Sequence, residues 1–281
     1  MSCADESFCL AVGSADADNS APGGLVDTGG SWTSTGPGKY PSGAILSGVS
    51  CPRTAACWAA GKSGAPDATS PYAEHYQNGR WSQVSTPKLT GGLDAVSCAS
   101  NSDCVAVGYR FESDNRGAPL MERWNGRHWS VMSGPSLGGN NTSLTGVSCP
   151  TASTCFADGY IVKDRSGPAI DSGEPFVERY NGYAWSVSYR STKAGVGVMM
   201  GAIACPGTSS CTAVGTGGTA AAGEGTFVLA LGPHGWSTPS SAQPDSFPSL
   251  EGVACANNSA CYAVGGYNLG PGSKTLILHK T

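Results

Sequence analysis

Short runs of alternating apolar and polar residues, separated by turns rich in Gly, Asn and Ser, follow one another along the chain. Alternation over Leu93 to Cys98 predicts a strand, and after a five-residue turn Cys104 to Gly108 predicts a second. Leu120 to Trp124 and His128 to Met132 predict two more strands, joined by the hairpin signal Asn125-Gly126. No segment shows the period of an amphipathic helix. We label the four predicted strands A, B, C and D.

This four-strand pattern recurs about every 50 residues, together with a degenerate motif. Strands A and B carry L-x-[GA]-V-[SA]-C-x5-C-x-A-V-G. Strands C and D carry W/Y-N-G-x-x-W-S in the third and fourth copies, and the second copy has the shorter form N-G-x-W-S. Six copies of C-x5-C use all 12 cysteines of the 281 residues. The pairs are Cys3 with Cys9, Cys51 with Cys57, Cys98 with Cys104, Cys149 with Cys155, Cys205 with Cys211, and Cys255 with Cys261. Such repeats are typical of propeller blades, so we predict an all-β, six-bladed β-propeller with four antiparallel strands per blade.

We expect a single propeller domain over residues 1–281. Its predicted blades cover approximately 1–40, 41–88, 89–137, 138–193, 194–243 and 244–281. No Trp-Ser strand follows Leu276-Ile277-Leu278, the strand C of blade six, so we expect this last blade to be incomplete. Its outer edge would stay exposed, pair with sequence from upstream, or accept a strand-donating partner.

The cysteine spacing favours disulfides over zinc, because the four histidines follow no zinc-ligand pattern. Each pair flanks an A–B turn, so we predict one disulfide per blade, which contributes about 2.3 kcal/mol in the chain-entropy estimate. Disulfides imply an oxidising compartment, and we expect a secreted, extracellular protein. Met1-Ser2 directly precedes Cys3, so we interpret the sequence as a chain without its signal peptide.

Charge and hydropathy narrow the range of partners. Twenty acidic and 16 basic residues give a formal net charge of −4, and only 13% of residues are charged. Nothing in this balance favours a polyanion, so we expect no nucleic-acid partner. No apolar run approaches the roughly 20 residues that span a bilayer, so we expect no membrane insertion.

A ligand site is expected on one face of the blades. The B–C and D–A loops, which share one end of the strands, differ between repeats, whereas the A–B turns and C–D hairpins at the other end repeat. Scaffold positions repeat and functional loops diverge, so the B–C/D–A end is the candidate ligand face. The predicted ligand-binding residues are Asp94, Tyr109, Arg110, Asp158, Tyr160, Glu251, Tyr267 and Asn268.

Three of these residues are carboxylates at informative positions. Asp158 stands on strand B where other blades have Val or Ala, and is either a structural anchor or part of a site. Asp94 and Glu251 occupy the variable position of strand A, near the predicted axial opening. Catalytic residues are otherwise unknown, and in an enzyme these three would supply the acid/base chemistry.

Two further sets of residues recur in register. Strand D carries a tryptophan in five repeats: Trp32, Trp81, Trp129, Trp185 and Trp236. We expect these tryptophans to pack between blades, and ligand stacking is the alternative. A glutamate recurs on strand C of three blades, followed by His or Arg: Glu74, Glu122 and Glu178. We expect these glutamates to form solvated cross-strand charge pairs.

Cofactor motifs are nearly absent from the sequence. Asp16, Asp18, Ser20 and Asp27 match positions 1, 3, 5 and 12 of an EF-hand loop, but Ala21 stands where the turn requires Gly. No G-x-S-x-G, H-E-x-x-H or P-loop motif occurs. We therefore expect no cofactor and no metal, with calcium near Asp16 and Asp18 as the alternative.

The V-S-C, C-x-A-V-G and W/Y-N-G-x-x-W-S segments resemble those of secreted, disulfide-stapled β-propeller repeat proteins of actinobacteria, over nearly the whole chain. The resemblance implies an extracellular propeller and carries no catalytic residues over. Six-bladed propellers often serve as lectins, which is an analogy of fold. We expect a lectin-like secreted binding module for carbohydrate or a cell-surface polymer. The alternatives are a protein-interaction subunit of an extracellular assembly, and an enzyme with one acid/base site at the axial mouth.

Overall fold

The computed structural model describes ten stretches of the chain. They are residues 1–14, 21–66, 68–114, 116–139, 141–162, 173–191, 197–219, 223–239, 248–268 and 273–280. These residues form strands, turns and bends, and no helix occurs among them, so none could cross a membrane as a long apolar helix. The all-β prediction is confirmed. The chain divides into two compact units, Met1–Ser133 and Gly134–Thr281, which are described separately.

The first unit contains three antiparallel meanders of four strands. The first has β1 (Ser2–Asp5), β2 (Phe8–Ser14), β3 (Pro22–Asp27) and β4 (Trp32–Thr35). The second has β5 (Ile45–Arg53), β6 (Ala56–Ser63), β7 (Ser70–Gln77) and β8 (Arg80–Val84). The third has β9 (Gly91–Ser100), β10 (Asp103–Phe111), β11 (Gly117–Trp124) and β12 (Trp129–Val131). Each meander is one predicted blade.

The second unit contains two four-stranded meanders and a three-stranded one. The first has β13 (Asn141–Thr151), β14 (Thr154–Val162), β15 (Gly173–Tyr180) and β16 (Trp185–Arg190). The next has β17 (Gly197–Gly207), β18 (Ser210–Thr219), β19 (Gly223–Gly232) and β20 (Gly235–Ser237). The last has β21 (Ser249–Asn257), β22 (Ala260–Asn268) and β23 (Ser273–Lys280). Within the described residues of this sheet, β23 pairs with β22 alone.

Each meander contains one disulfide, formed within one C-x5-C segment as predicted. The six bonds join the two ends of each A–B hairpin, with Cα–Cα separations between 3.9 and 4.1 Å. All 12 cysteines are paired, which leaves no thiolate for zinc. The disulfide prediction is confirmed for every pair: Cys3 with Cys9, Cys51 with Cys57, Cys98 with Cys104, Cys149 with Cys155, Cys205 with Cys211, and Cys255 with Cys261.

The first and last of these disulfides lie in the terminal meanders. Cys9 on β2 is half-buried and bonded to Cys3, with which it also pairs in the strand ladder. Cys261 on β22 is buried, is bonded to Cys255, and lies 3.6 Å from the Thr212 hydroxyl of the preceding meander. Both disulfides therefore close an A–B hairpin in the same way as those of the middle meanders.

Within each unit, the core lies between successive meanders. Leu10 and Val26 of the first meander cluster with Leu46 and Tyr72 of the second, and similar clusters join other successive meanders of the same unit. The apolar face of one sheet is therefore covered by the next sheet, which is how blades pack.

The strand D tryptophans take part in this packing. Trp81 donates its Nε1–H to Thr35 Oγ1 of the preceding meander at 2.9 Å, and Trp236 donates to Ser188 Oγ at 2.9 Å. Trp129 is buried in the cluster between the second and third meanders. The packing prediction is confirmed for these three, whereas Trp32 is 44% exposed.

The serine that directly precedes the first cysteine of several repeats has a structural role that the sequence did not reveal. Its hydroxyl accepts the backbone N–H of the first cysteine in the following meander, at 3.0 Å in each case. The bonds run from Cys51 to Ser2, from Cys98 to Ser50 and from Cys205 to Ser148. A repeated hydrogen bond between innermost strands fixes one blade against the next.

The variable position of strand A is a β-bulge. Leu93 pairs with Gly108 and Ala95 pairs with Val107, which leaves Asp94 as the extra residue. The same irregularity lies at the equivalent residues of other repeats, Ser47, Thr145, Gly201 and Glu251. A bulge re-aims its side chain and disrupts the ladder locally, so this position can vary without loss of the sheet.

The glycine of C-x-A-V-G is required by the close approach of strand A beside the bulge. A Cβ on Gly108 would overlap the carbonyl oxygen of Gly92, and one on Gly61 would overlap that of Ile45. The same overlap occurs at Gly159, Gly215 and Gly265. Gly13, in the first repeat, would meet no atom within 4 Å.

Gly108→Ala is expected to destabilise the protein by about 2–3 kcal/mol, because strand A must move away from the new methyl group. Gly13→Ala is the matched control at the same motif position and should change stability by less than about 0.5 kcal/mol. Urea denaturation followed by tryptophan fluorescence measures both. Equal losses in the two variants would show that backbone overlap is not the reason for this glycine.

The strand C glutamates are not solvated, and that expectation is wrong. Glu74, Glu122 and Glu178 are each 0% exposed. Each pairs with the alanine of C-x-A-V-G on strand B, and Glu122 shares its face with Ala106 and Leu120, which pack on the second meander. The equivalent residues in the other repeats are Leu25, Leu229 and Leu278. Leu229 is 0% exposed, whereas Leu25 of the first meander is 47% exposed. The register is therefore interior in the meanders that a preceding meander covers, and the glutamates replace leucine there.

These buried carboxyls are poorly satisfied. Tyr72 donates to Glu74, whereas in the described part of the chain neither oxygen of Glu122 or Glu178 has a hydrogen-bond partner. Burial raises the pKa of Glu122 and of Glu178 to about 8, and burial also raises the pKa of Glu74. The carboxyls of Glu122 and Glu178 are consequently protonated in the folded protein at neutral pH.

Candidate functional site

Two variable positions of each repeat lie at the B–C/D–A end of the strands. One is the bulge residue of strand A, and the other is the residue that follows the glycine of C-x-A-V-G. In the second and third meanders these positions bring Lys62, Asp94 and Tyr109 into one region of the first unit. We call these three residues together with Phe111 the Lys62–Tyr109 site.

Lys62 is held between the two meanders of this site. The stem of Lys62 covers Gly92. A Cβ added to Gly92 would lie 3.1 Å from Lys62 Cβ and 3.4 Å from Tyr109 Oη, so glycine leaves room for both side chains. Its ammonium group lies 6.0 Å from the centroid of the Tyr109 ring. A cation at this distance is attracted by the ring quadrupole, so the charge has a fixed position at the end of β6.

Asp94 contributes a carboxyl with unusual titration behaviour. Burial raises the pKa of Asp94 to about 6, although the nearby Lys62 ammonium acts to lower it. The group is therefore mostly ionised at neutral pH and mostly neutral in mildly acidic solution. Its bulge position, rather than the regular ladder, determines where this side chain lies.

Two neighbours extend the site along β10. Phe111 is 42% exposed and packs edge-on against Tyr109, with ring centroids 5.5 Å apart. Arg110 forms an ion pair with Glu112 at 2.9 Å, while its Nε is buried without a hydrogen-bond partner among the described residues. The strand thus ends in two adjacent aromatic rings and a partly satisfied guanidinium.

A groove of about 440 Å³ adjoins the site. Its lining residues are Ser70, Thr86, Pro87, Lys88, Leu89 and Thr90. The carbonyl oxygen of Thr90 accepts the N–H of Phe111 at 2.9 Å, which links the groove to the aromatic pair. The loop between β8 and β9 therefore brings Thr86, Lys88 and Thr90 to the groove, and Thr90 contacts Phe111 through the backbone.

Asp158, in the second unit, is buried on β14 with 0% exposure. It pairs with Gly146, and burial raises its pKa to about 7 against the opposing effects of its own backbone N–H, the Gly146 N–H and the Thr145 hydroxyl. Among the described residues, the Asp158 side chain is completely enclosed. Its burial favours the structural-anchor alternative over the binding one.

The other predicted residues of the second unit lie on two different meanders. Tyr160 is half-buried on β14, and Tyr267 is half-buried on β22. Glu251 is an exposed bulge residue that accepts the Ser249 hydroxyl at 3.4 Å. The side chain of Asn268 lies outside the described residues.

Metal binding receives no support from the part of the chain that the structure describes. No group of three or more His, Cys, Asp or Glu residues is placed there to hold a metal ion. Asp16 and Asp18, the alternative calcium ligands, lie outside the described residues. Calcium at that loop stays a prediction.

Lys62 is the site residue that our reading of the sequence missed. It follows Gly61, so it occupies the position of Tyr109 and Tyr160, both of which were predicted. A comparison of this one position across all repeats would have identified it. The bulge at Asp94 was harder to predict, because the sequence shows that this position varies but not that its hydrogen-bonded pairing is interrupted.

Comparisons with known proteins show the fold and no family. No protein-family model matches the chain, and no curated protein matches its sequence. The structure is similar to "YCF48 bound to D1 peptide", with 14% identity, a TM-score of 0.55, and coverage of 98% of this chain and 79% of that one.

A fungal lectin and a sialidase are also similar. The six-bladed fucose-recognising lectin of Aleuria aurantia is 13% identical with a TM-score of 0.52, over 97% of this chain and 96% of that one. A sialidase of Trypanosoma rangeli is 9% identical with a TM-score of 0.59, over 99% of this chain but 52% of that one. At these identities the likeness shows an all-β propeller fold with one disulfide per blade in this chain.

Proposed function

We propose that this protein is a secreted, six-bladed β-propeller that binds carbohydrate through the B–C/D–A end of its blades. The observation that carries the proposal is the Lys62–Tyr109 site with its adjoining groove. It combines the exposed Phe111 ring, the half-buried Tyr109 ring, a carboxyl and an ammonium with a groove that the side chains of Ser70, Thr86 and Thr90 line.

The chemistry of the site suits a sugar. Aromatic rings such as Tyr109 and Phe111 pack against the apolar C–H faces of a sugar ring, and each ring offers a large rigid surface. The carboxyl and hydroxyl groups around them provide acceptors and donors for the sugar hydroxyls. The propeller scaffold is also that of a fucose-recognising lectin.

The proposal of secretion rests on the disulfides. Six of them, one in each meander, would not persist in a reducing cytosol. An oxidising environment is therefore needed for the folded protein. Carbohydrate outside the cell is a ligand available in that environment.

Tyr109→Ala is expected to weaken glycan binding at least tenfold, since stacking and the position of Lys62 are lost together. A glycan array identifies the sugars bound by the wild type, and calorimetry with the best of them measures the change. Tyr183→Ala is the matched control, because Tyr183 is 94% exposed on a C–D hairpin at the other end of the strands. Loss of binding in the Tyr183 variant alone would show that the ligand face was wrongly chosen.

A second candidate function is that of a protein-interaction subunit, and the last meander favours it. Among the described residues β23 offers a free edge, and Ile277 is 63% exposed beside exposed Tyr262 and Val264. Such an apolar edge can accept a strand from a partner. The similar structure of a propeller with a bound peptide has the same general fold. An acid/base enzyme remains a prediction that these observations do not test.

A further inference from the structure

We propose that the Lys62–Tyr109 site recognises an acidic carbohydrate, with the Lys62 ammonium bound to a uronate carboxylate of the ligand. This inference rests on the proposed carbohydrate-binding function and names the class of sugar. Its starting point is an ammonium group that is held in place and, among the described residues, takes part in no ion pair within 4.0 Å.

The ammonium has a preferred position before any ligand arrives. Gly92 leaves room for the lysine stem, and the Tyr109 ring lies 6.0 Å from Nζ. A charge that is already positioned loses little conformational freedom on binding, so it discriminates well between charged and neutral ligands. The equivalent residues of the other repeats carry no positive charge: Ser14, Tyr109, Tyr160, Thr216 and Gly266.

The charge around the site also favours an anion. Lys88 lines the adjoining groove, and it takes part in no ion pair among the described residues. The chain as a whole has a net charge of −4, so this local excess of cations is not a general property of its surface. A ligand with one carboxylate on each sugar ring could pair with Lys62 and Lys88 one at a time, whereas a phosphate cluster would need several cations at one point.

Asp94 competes with the ligand for Lys62. When ionised, it neutralises part of the lysine charge, and when protonated it releases that charge to the ligand. The pKa of Asp94 is about 6, because burial raises it and Lys62 lowers it. A uronate has a pKa of about 3.5 and stays ionised throughout. Affinity for an acidic sugar is therefore expected to rise as the pH falls from 7.5 to 5.

Other charged groups on the strands that pack against β9 do not take the role of Asp94. They are Arg53 on β5, Glu74 and His75 on β7, Asp103 and Arg110 on β10, and Glu122 and Arg123 on β11. Arg123 pairs with Asp103, Arg110 pairs with Glu112, and Glu74 is bound by Tyr72. Of all these strands, only β6 contributes a charge that shifts the pKa of Asp94, and that charge is Lys62.

The test compares oligogalacturonate with its fully methyl-esterified form by calorimetry at pH 5 and pH 7.5. The two probes share one sugar backbone, and esterification removes the charge of each carboxylate and adds a methyl group to it. The wild type is expected to bind the acid at least tenfold more tightly than the ester at pH 5, with a smaller ratio at pH 7.5. Lys62→Met retains the stem over Gly92 and should bind both probes equally. Asp94→Asn should bind the acid at pH 7.5 as tightly as the wild type does at pH 5.

Lys39→Met is the control for net charge, because Lys39 is an exposed lysine of another D–A loop and its loss should leave the preference intact. Equal binding of acid and ester by the wild type, or a preference retained in Lys62→Met, would overturn the inference. If neutral glycans bind and Tyr109→Ala removes that binding, the proposed function stands while this inference fails. Binding of an acidic peptide without either sugar would overturn both.

Discussion

Replacing Glu122 by leucine is expected to stabilise the protein by about 2–3 kcal/mol at pH 7. Glu122 is completely buried between the second and third meanders, and neither carboxyl oxygen has a hydrogen-bond partner among the described residues. Three other repeats already have leucine at this register, and one of these, Leu229, is completely buried like Glu122. The substitution therefore restores the residue that the blade interface accommodates elsewhere in the same chain.

The magnitude follows from the proton that Glu122 must take up on folding. The pKa of Glu122 is raised from 4.5 to about 8 by burial. Because one pKa unit corresponds to about 1.4 kcal/mol, protonation at pH 7 costs about 3 kcal/mol. Leucine removes this cost and buries more apolar surface, but its different shape packs less well and so lowers the net stabilisation.

The pH dependence has a definite sign. A carboxyl whose pKa is higher in the folded than in the unfolded protein stabilises the fold below the unfolded value of 4.5, and this contribution is lost as the pH rises through about 8. The pKa values of Glu178 and Asp158 are raised too, to about 8 and about 7. The wild type should therefore be more stable at pH 5 than at pH 8.5, by several kcal/mol.

Urea denaturation of the wild type and Glu122→Leu at pH 5, 7 and 8.5 measures both effects. The variant should be more stable at pH 7 and lose less stability between pH 5 and 8.5. Glu122→Gln should also flatten the pH profile, because it cannot titrate. Glu112→Gln is the control at an exposed glutamate and should leave the profile unchanged. A variant less stable than the wild type at pH 8.5 would mean that the carboxylate has a favourable partner.

Much of the fold could be predicted because the repeat constrains it at every level. Alternation identifies the strands, Asn-Gly marks the C–D hairpins, and the C-x5-C spacing fixes the disulfides. The structure adds what spacing cannot express, such as the bulge at Asp94 and the hydrogen bond from Cys98 to Ser50. Both depend on contacts between strands or between meanders, which a linear pattern does not contain.

The strand C glutamates show where the interpretation of single repeats fails. Glu122 followed by Arg123 looks like a surface charge pair, and Arg123 does pair, but with Asp103 on β10. The leucines at the same register in other repeats were the available signal that this position faces inward. Charge alone was a misleading guide because a sheet packed between two other sheets has both faces buried.

The site was predicted only in part for a related reason. Asp94, Tyr109 and Arg110 were chosen as deviations from the repeat, and the structure places them at the same end of the third meander. Lys62 comes from the neighbouring meander, so its proximity to Tyr109 depends on how two blades pack. Deviations within one repeat could be found by inspection, whereas pairs formed across a blade interface could not.

The disulfides provide the largest expected effect on stability. Removing one of them by the double substitution Cys98→Ala and Cys104→Ala is expected to destabilise the protein by about 2 kcal/mol, since the closed loop is short. Reduction of all six should remove stability comparable to the whole free energy of unfolding of a domain, about 5–15 kcal/mol. We therefore expect the fully reduced chain to be unfolded at room temperature without denaturant.

The access of reductant to the sulfurs determines how this loss should appear. The second cysteine is buried in five of the six pairs: Cys57, Cys104, Cys155, Cys211 and Cys261. A reductant should therefore act slowly on the native protein and rapidly once urea opens the blades. Cys9 is the half-buried exception, so its bond to Cys3 should be reduced first. The experiment measures far-UV circular dichroism while alkylation and mass spectrometry count the free thiols, from none to 12.

Unfolding should follow the number of thiols released, and the oxidised protein in the same urea concentration is the control. A reduced and fully alkylated chain that kept its β-sheet signal would contradict this expectation. It would show that packing between the meanders, with hydrogen bonds such as that from Cys51 to Ser2, is sufficient to hold the blades together.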